Sequence, residues 1–290
     1  MFARILVALD GSSVAEAILP AVRRLARAAG SEILLVKVES ASPVEGSAAP
    51  QDETLFFANR YLKVLALRLS QEGFRARPSL RVGLPGPTLT QAIREEGATL
   101  VAMGTHGATA SQDVACGRVT EHLLRTSPVP LLVTRSAEPA AEPALRNLLV
   151  PLDGGRASLA ALPYALEFAR GLGSGIRLLH VLPAGVTNDR TRRWLERLSE
   201  AIAREGVSSA AALEWGDPAD KIVETLRTAQ ADVLALATHG LRCEAPEVPA
   251  GHVAERVLRR AGVPVLLVNP SLADPGRLVG TPLEEFDSGA

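Results

Sequence analysis

Apolar residues in this chain fall into short unbroken runs, separated by longer stretches in which apolar positions recur every three or four residues. Runs such as Ile5-Leu6-Val7-Ala8-Leu9 and Leu34-Leu35-Val36 have the length of strands covered on both faces. In the first half this pattern predicts strands near residues 3–9, 32–39, 77–82, 99–103 and 130–134. Between the first two, Ala15, Ile18, Leu19, Val22, Leu25 and Ala26 mark one face of a helix, and Val119, Leu123 and Leu124 mark another before the last strand. Strand and helix alternate throughout, which predicts an α/β chain with a mostly parallel, doubly wound sheet and helices on both faces.

The pattern then repeats. Ile5-Leu6-Val7-Ala8-Leu9-Asp10-Gly11 returns 143 positions later as Leu148-Leu149-Val150-Pro151-Leu152-Asp153-Gly154. Leu34 to Val38 returns as Arg177 to Val181, Gly83-Leu84-Pro85 as Gly216-Asp217-Pro218, and Thr105-His106-Gly107 as Thr238-His239-Gly240. Val129-Pro130-Leu131-Leu132-Val133 returns as Val263-Pro264-Val265-Leu266-Leu267. Five elements in one order define a tandem repeat. The offset shrinks by ten between Val38 and Gly83, so the first half holds a longer connection there, and the Ser-, Ala- and Pro-rich stretch Ser40 to Gln51 reads as a surface loop. The organisation expected is a domain over 1–135, a linker over 136–145 rich in Ala and Pro, a second domain over 146–268, and a flexible tail over 269–290.

Composition narrows the function. A length of 290 residues leaves room for two domains of about 100 to 150 residues. The net charge of -1 offers no field for nucleic acid or an anionic bilayer. No apolar run approaches the roughly 18 residues of a membrane span, and the N-terminal run is too short for a signal segment, so the expected location is cytoplasmic. Cys116 and Cys243 cannot frame a disulfide scaffold, and neither has zinc-ligand spacing around it.

In an open parallel sheet, ligands bind beyond the carboxyl ends of the strands. Beyond the first strand stands Asp10-Gly11-Ser12-Ser13, where Asp10 either meets a ribose hydroxyl or caps the next helix, a task Ser12 or Ser13 could perform instead. Beyond the fourth strand comes Met103-Gly104-Thr105-His106-Gly107, and nine residues after Gly107 come Gly117-Arg118-Val119, opening a helix. Glycines there let backbone approach a phosphate, and the free amides and positive dipole end of a helix start favour an anion.

The spacing Gly104-x2-Gly107-x9-Gly117, with Val7-Ala8-Leu9-Asp10 upstream, resembles the universal stress protein family, and the resemblance covers both halves. It implies a five-stranded sheet in each half, dimeric association of such domains, and ATP binding. Residue by residue, it implies that Asp10 holds ribose, that Ala8 and Val38 wall the adenine, and that Met103 precedes the phosphate loop. Gly104, Gly107, Gly117 and Val119 fall at phosphate-binding positions, and Leu9, His106 and Arg118 complete the candidate set. Arg118 replaces the family's Ser or Thr, so its guanidinium either clamps phosphate or turns to solvent. The second half departs further: Ala237 replaces Gly104, the spacer before Gly251 grows by one, and His252 takes the hydroxyl position. Weak or no ATP binding is expected there.

The function expected is a regulatory, stress-response protein binding ATP in its N-terminal half, with Mg²⁺ or Mn²⁺ accompanying the triphosphate and no metal-ligand set of its own. The alternatives are a weak ATPase and an interaction module holding a structural nucleotide. No Gly-x4-Gly-Lys-Ser/Thr motif appears, so slow hydrolysis at most is expected and no catalytic residue is assigned. His106 and His239 read as loop-packing residues, Trp194 and Trp215 as packing residues, and the cluster Arg190, Arg192 and Arg193 as a solvated helix face. The last strand of each half reads as a sheet edge, which invites pairing of the halves as a pseudo-dimer or of whole chains as a homodimer. An unknown protein partner fits the regulatory reading.

Overall fold

The computed structural model describes residues 2–40, 51–105, 117–135, 142–185, 189–238 and 252–272. It divides into two units, Met1–Pro143 and Ala144–Ala290. The first contains β1 (Arg4–Leu9), α1 (Ser13–Glu16), α2 (Leu19–Ala29), β2 (Glu32–Glu39), α3 (Gln51–Gln71), β3 (Arg75–Val82), α4 (Pro85–Glu95), β4 (Leu100–Gly104), α5 (Arg118–Thr126) and β5 (Leu131–Thr134). Its strands run parallel in the order β3-β2-β1-β4-β5. The second contains β6 (Asn147–Pro151), α6 (Arg156–Leu159), α7 (Ala161–Leu172), β7 (Gly175–Leu182), α8 (Asp189–Arg204), β8 (Ser209–Trp215), α9 (Pro218–Thr228), β9 (Val233–Ala237), α10 (His252–Leu258) and β10 (Val265–Val268). Its order, β8-β7-β6-β9-β10, is the same path. Each unit is therefore a doubly wound α/β layer whose strand order reverses beside its first strand.

The apolar runs form the central strands because every face of them is covered: Ile5, Leu6, Val7, Ile33, Leu34, Leu35 and Val36 are all fully buried. The six apolar positions from Ala15 to Ala26 are buried as the pattern requires, yet they are divided between two helices, α1 and α2, with Ile18 the N-cap of the second. Pro20 is the reason, since it stands in the first turn of α2 and its ring would clash with the Glu16 carbonyl in a continuous helix. Pro163 sits at the matching place, and the second unit shows the same break between α6 and α7. Leu145, within the expected linker, is fully buried in the second unit. The Ser40 to Gln51 loop and the tail beyond Leu272 lie almost wholly outside the described residues.

Under α4 the first unit carries a network of charges. Glu32 accepts from Arg4 at 2.7 Å and from Arg77 at 2.5 Å, and Glu96 accepts from Arg77 and Arg81, both at 2.7 Å. The Arg77 guanidinium is the largest influence holding both carboxyls below their usual range. It is itself 40% exposed, so water screens part of its effect, and Arg77→Met is expected to cost about 1–2 kcal/mol. The sign with pH follows from the lowered carboxylates, whose contribution is complete above their unfolded value of 4.5 and is lost as pH falls through the folded value. Urea midpoints of wild type and Arg77→Met should therefore differ at neutral pH and converge below pH 4.5; parallel curves would disprove the assignment.

Candidate functional site

The sheet order places the tips of β1 and β4 side by side, with their onward connections leaving in opposite directions. At the β1 tip, Gly11 has φ +92°, a turn that brings the following Ser12 amide back onto Asp10. Asp10 Oδ1 accepts from the Ser12 N–H at 2.8 Å and from the Ser12 hydroxyl at 2.6 Å. Ser12 is the N-cap of α1, its Oγ accepting from the Ala15 N–H at 3.1 Å. Of the capping choices the sequence left open, Ser12 is the one realised, and Asp10 stands exposed with its carboxylate oriented by that turn.

At the β4 tip, Met103 and Gly104 are buried. The Thr105 carbonyl accepts from the Gly117 N–H at 2.7 Å and from the Thr120 hydroxyl at 3.3 Å. The intervening loop thus leaves and returns at one point, and its His106 and Gly107 lie outside the described residues. Gly117 is the N-cap of α5 with φ -73° and ψ 163°, and it has no side chain with which to cap the helix. The first-turn amides of α5 have the anion-attracting character of a helix start. Arg118, the first residue of the helix, is exposed, and Val119 is half-buried.

Register decides which candidates share a face. Ala8 pairs with Val36 on one side and Met103 on the other, so Ala8, Val38 and Met103 point to one face of the sheet. Thr120 of α5 reaches Met103 Sδ at 3.9 Å, so this is also the face of α5. Leu9, by the same alternation, points to the opposite face with Lys37, and its side chain is buried. Asp10, Ala8, Val38, Met103, Gly104 and Gly117 are therefore brought to one mouth, while Leu9 is not.

Two residues at this mouth, and one on the face behind it, escaped the sequence reading. Thr105 and Thr120 act through a contact fifteen positions apart that no local motif announces. Lys37, whose Nζ lies 2.6 Å from Glu39 Oε1, has its Cε 3.7 Å from where a Cβ on Gly11 would sit. Its signal was available as the single charged residue inside the apolar run of β2.

The second unit keeps the turn, while its strand tips differ. Asp153 Oδ1 accepts from the Gly155 N–H at 2.9 Å. However, Ala8 is matched by Pro151, which has no N–H to donate, and the β6–β9 pairing stops at Leu149–Leu234, whereas β1–β4 continues to Ala8–Met103. At Lys37's position stands His180, 7% exposed, with its ring edge-on to Trp194 at 6.5 Å. His239 and Gly251 lie outside the described residues.

Comparison with known proteins settles the family. The model of the universal stress protein family matches residues 1–135 and 144–269. The chain belongs to the universal stress protein family. Among related proteins, universal stress protein MJ0531 of Methanocaldococcus jannaschii is 29% identical over 140 residues, covering 42% of this chain and 81% of that protein. Universal stress protein MJ0577 of the same organism is 28% identical over 78 residues, covering 27% of this chain and about half, 48%, of that protein. Among solved structures, a universal stress protein from Archaeoglobus fulgidus superposes with a TM-score of 0.76 at 23% identity, covering 93% of this chain and 99% of that one. A putative universal stress protein from Pseudomonas aeruginosa gives 0.67 at 19% identity, covering 99% and 98%. These structural likenesses show the fold, and the two matches of the family model show that it occurs twice along the chain. No described helix is long and apolar enough to cross a membrane, and no described cluster of His, Cys, Asp or Glu could hold a metal ion.

Proposed function

We propose that this universal stress protein is a nucleotide-binding regulator of the stress-response type that takes ATP at the first unit's mouth and binds little or none at the second. The observation carrying the reading is the pairing, across one switch point, of an exposed carboxylate oriented by its own turn and a helix start whose N-cap is a glycine. The fit to a nucleotide is chemical. Asp10 can accept from ribose hydroxyls, the first-turn amides of α5 can donate to phosphate oxygens, and Ala8, Val38 and Met103 offer an apolar wall on the same face. Arg118 stands where a guanidinium could meet a phosphate. No described protein ligand set awaits a divalent ion, so Mg²⁺ or Mn²⁺ would arrive with the triphosphate.

Binding is favoured over catalysis because phosphoryl transfer needs a positioned base and cationic clamps. Lys37, on the opposite face of the sheet, is already engaged by Glu39. In the second unit, Pro151 ends the β6–β9 ladder early and Ala237 adds a methyl group where Gly104 has none, both of which disturb the phosphate track.

Calorimetric titration of nucleotide-stripped protein with ATP and Mg²⁺ should give one site per chain. No heat of binding would remove the proposal, and two equal sites would overturn the asymmetry. Release of bound nucleotide within the time of a mixing experiment is expected for a regulator. Retention through dialysis would favour an interaction module holding a structural nucleotide.

A further inference from the structure

The tandem repeat supplies an internal control for every surface position, and α3 fails it. α3 and α8 occupy the same place in the two units, and their inner faces agree: Ala58, Leu62, Leu65 and Leu69 are buried where Thr191, Leu195, Leu198 and Ile202 are buried. Their outer faces do not. Phe56, Phe57, Val64 and Leu67 are 62%, 55%, 51% and 60% exposed, where α8 presents Asp189, Arg190, Arg197 and Glu200. The fold is satisfied by the charged version, so packing does not account for four large apolar side chains in water on α3.

Past an acidic first turn of Asp52 and Glu53, the charges along this helix have one sign. From Thr54 to Gln71 the helix carries Arg60, Lys63 and Arg68 and no carboxylate, and among the described residues none of these three cations is in an ion pair. On α8 the cations are interspersed with Glu196 and Glu200. Between α3 and α1 lies a groove of about 300 Å³, walled by Phe57, Val64 and Leu65 and rimmed by Arg60 and Arg68. Its floor is Tyr61, whose hydroxyl donates to Glu16 Oε1 at 2.9 Å. In the second unit the matching positions hold Leu159 and Trp194, both buried.

We propose that the outer face of α3 is a docking surface for an acidic, apolar segment of a partner protein. The apolar side chains and the groove accept Leu- or Phe-type knobs, and the three cations, unpaired among the described residues, select carboxylates flanking them. A bilayer is the poorer occupant, because a flat lipid surface offers no knob for a groove. The proposal does not depend on nucleotide binding at the β1–β4 mouth.

The test uses the full chain and a fluorescein-labelled amphipathic peptide with Glu and Asp on one helical face and Leu and Phe on the other, read by fluorescence anisotropy. Wild type should bind saturably, and increasingly weakly as salt is raised. The double variants Val64→Glu/Leu67→Glu and Arg60→Glu/Arg68→Glu should each bind at least about tenfold more weakly. Arg193→Glu/Arg197→Glu on α8 should bind like wild type, and unchanged far-ultraviolet dichroism shows that the variants are folded. Absence of saturable binding by wild type, or equal weakening by the α8 variant, overturns the proposal. So does capture by phosphatidylglycerol vesicles that Val64→Glu/Leu67→Glu abolishes, which would assign the face to a membrane. Self-association of wild type that the same variant abolishes would assign it to a second copy.

Discussion

Gly117→Asp should reduce ATP affinity by at least about a hundredfold while leaving the fold as stable as wild type. The reason lies in the N-cap geometry of α5. With φ -73° and ψ 163°, position 117 already has the backbone conformation in which Asp is among the best capping residues. A carboxylate there would accept from the first-turn amides and take the donors that a phosphate needs, and it would add a negative charge beside the triphosphate. A Cβ at this position comes to 3.3 Å from the Thr105 carbonyl, a contact that asks for a shift of a few tenths of an ångström. The gain in capping offsets that crowding, so loss of binding without loss of melting temperature is the expected signature. Gly117→Ala separates the two effects, because it crowds Thr105 equally and competes for no amide. If Gly117→Ala and Gly117→Asp weaken ATP equally, the amides are not the phosphate site.

What the sequence disclosed depended on how local each signal was. The strands were legible because parallel, doubly covered strands are unbroken apolar runs, and the observed β1 to β5 fall within two residues of the predicted spans. The helix break before Pro20 was hidden because the apolar spacing from Ala15 to Ala26 runs straight through it, and burial alone does not require one continuous helix. At the mouth, Asp10 and Gly117 were legible as residues that follow a strand and open a helix. The clasp of the Thr105 carbonyl by Gly117 and Thr120 was not, since it depends on where a loop returns. The differences at the second unit's strand tips were half legible. Ala237 and His252 stood out against the family spacing, whereas Pro151 acts by ending a ladder with β9, and that partner is known only once strand order is known.

The two units also diverge on the sheet face away from α5, and the consequence is the second large effect. Trp194, 6% exposed on the inner face of α8, occupies the place of Tyr61, which is half-buried and tied to Glu16. Trp194→Ala should cost the second unit about 3–5 kcal/mol, the range for emptying a buried aromatic site, and Tyr61→Ala should cost the first unit less. Trp194 also keeps His180 dry. Burial pushes the His180 imidazole below its ordinary value of 6.5, against smaller opposing influences from the Leu152 backbone and Asp153. The folded unit therefore holds His180 neutral, while the unfolded chain protonates it below pH 6.5. Stability from this group is complete above pH 6.5 and is lost as pH falls toward the lowered folded value. Wetting the ring through Trp194→Ala should restore His180 toward 6.5 and flatten that slope. The chain has two tryptophans, both in the second unit, so Trp215 remains as a fluorescent reporter of that unit alone in the variant. Urea titrations followed by its emission, at neutral pH and about one unit below 6.5, should show a large fall in midpoint with a reduced pH dependence relative to wild type. A fall in midpoint with an undiminished pH slope would place the proton-linked group elsewhere. A midpoint within experimental error of wild type would mean that the second unit does not rest on this ring.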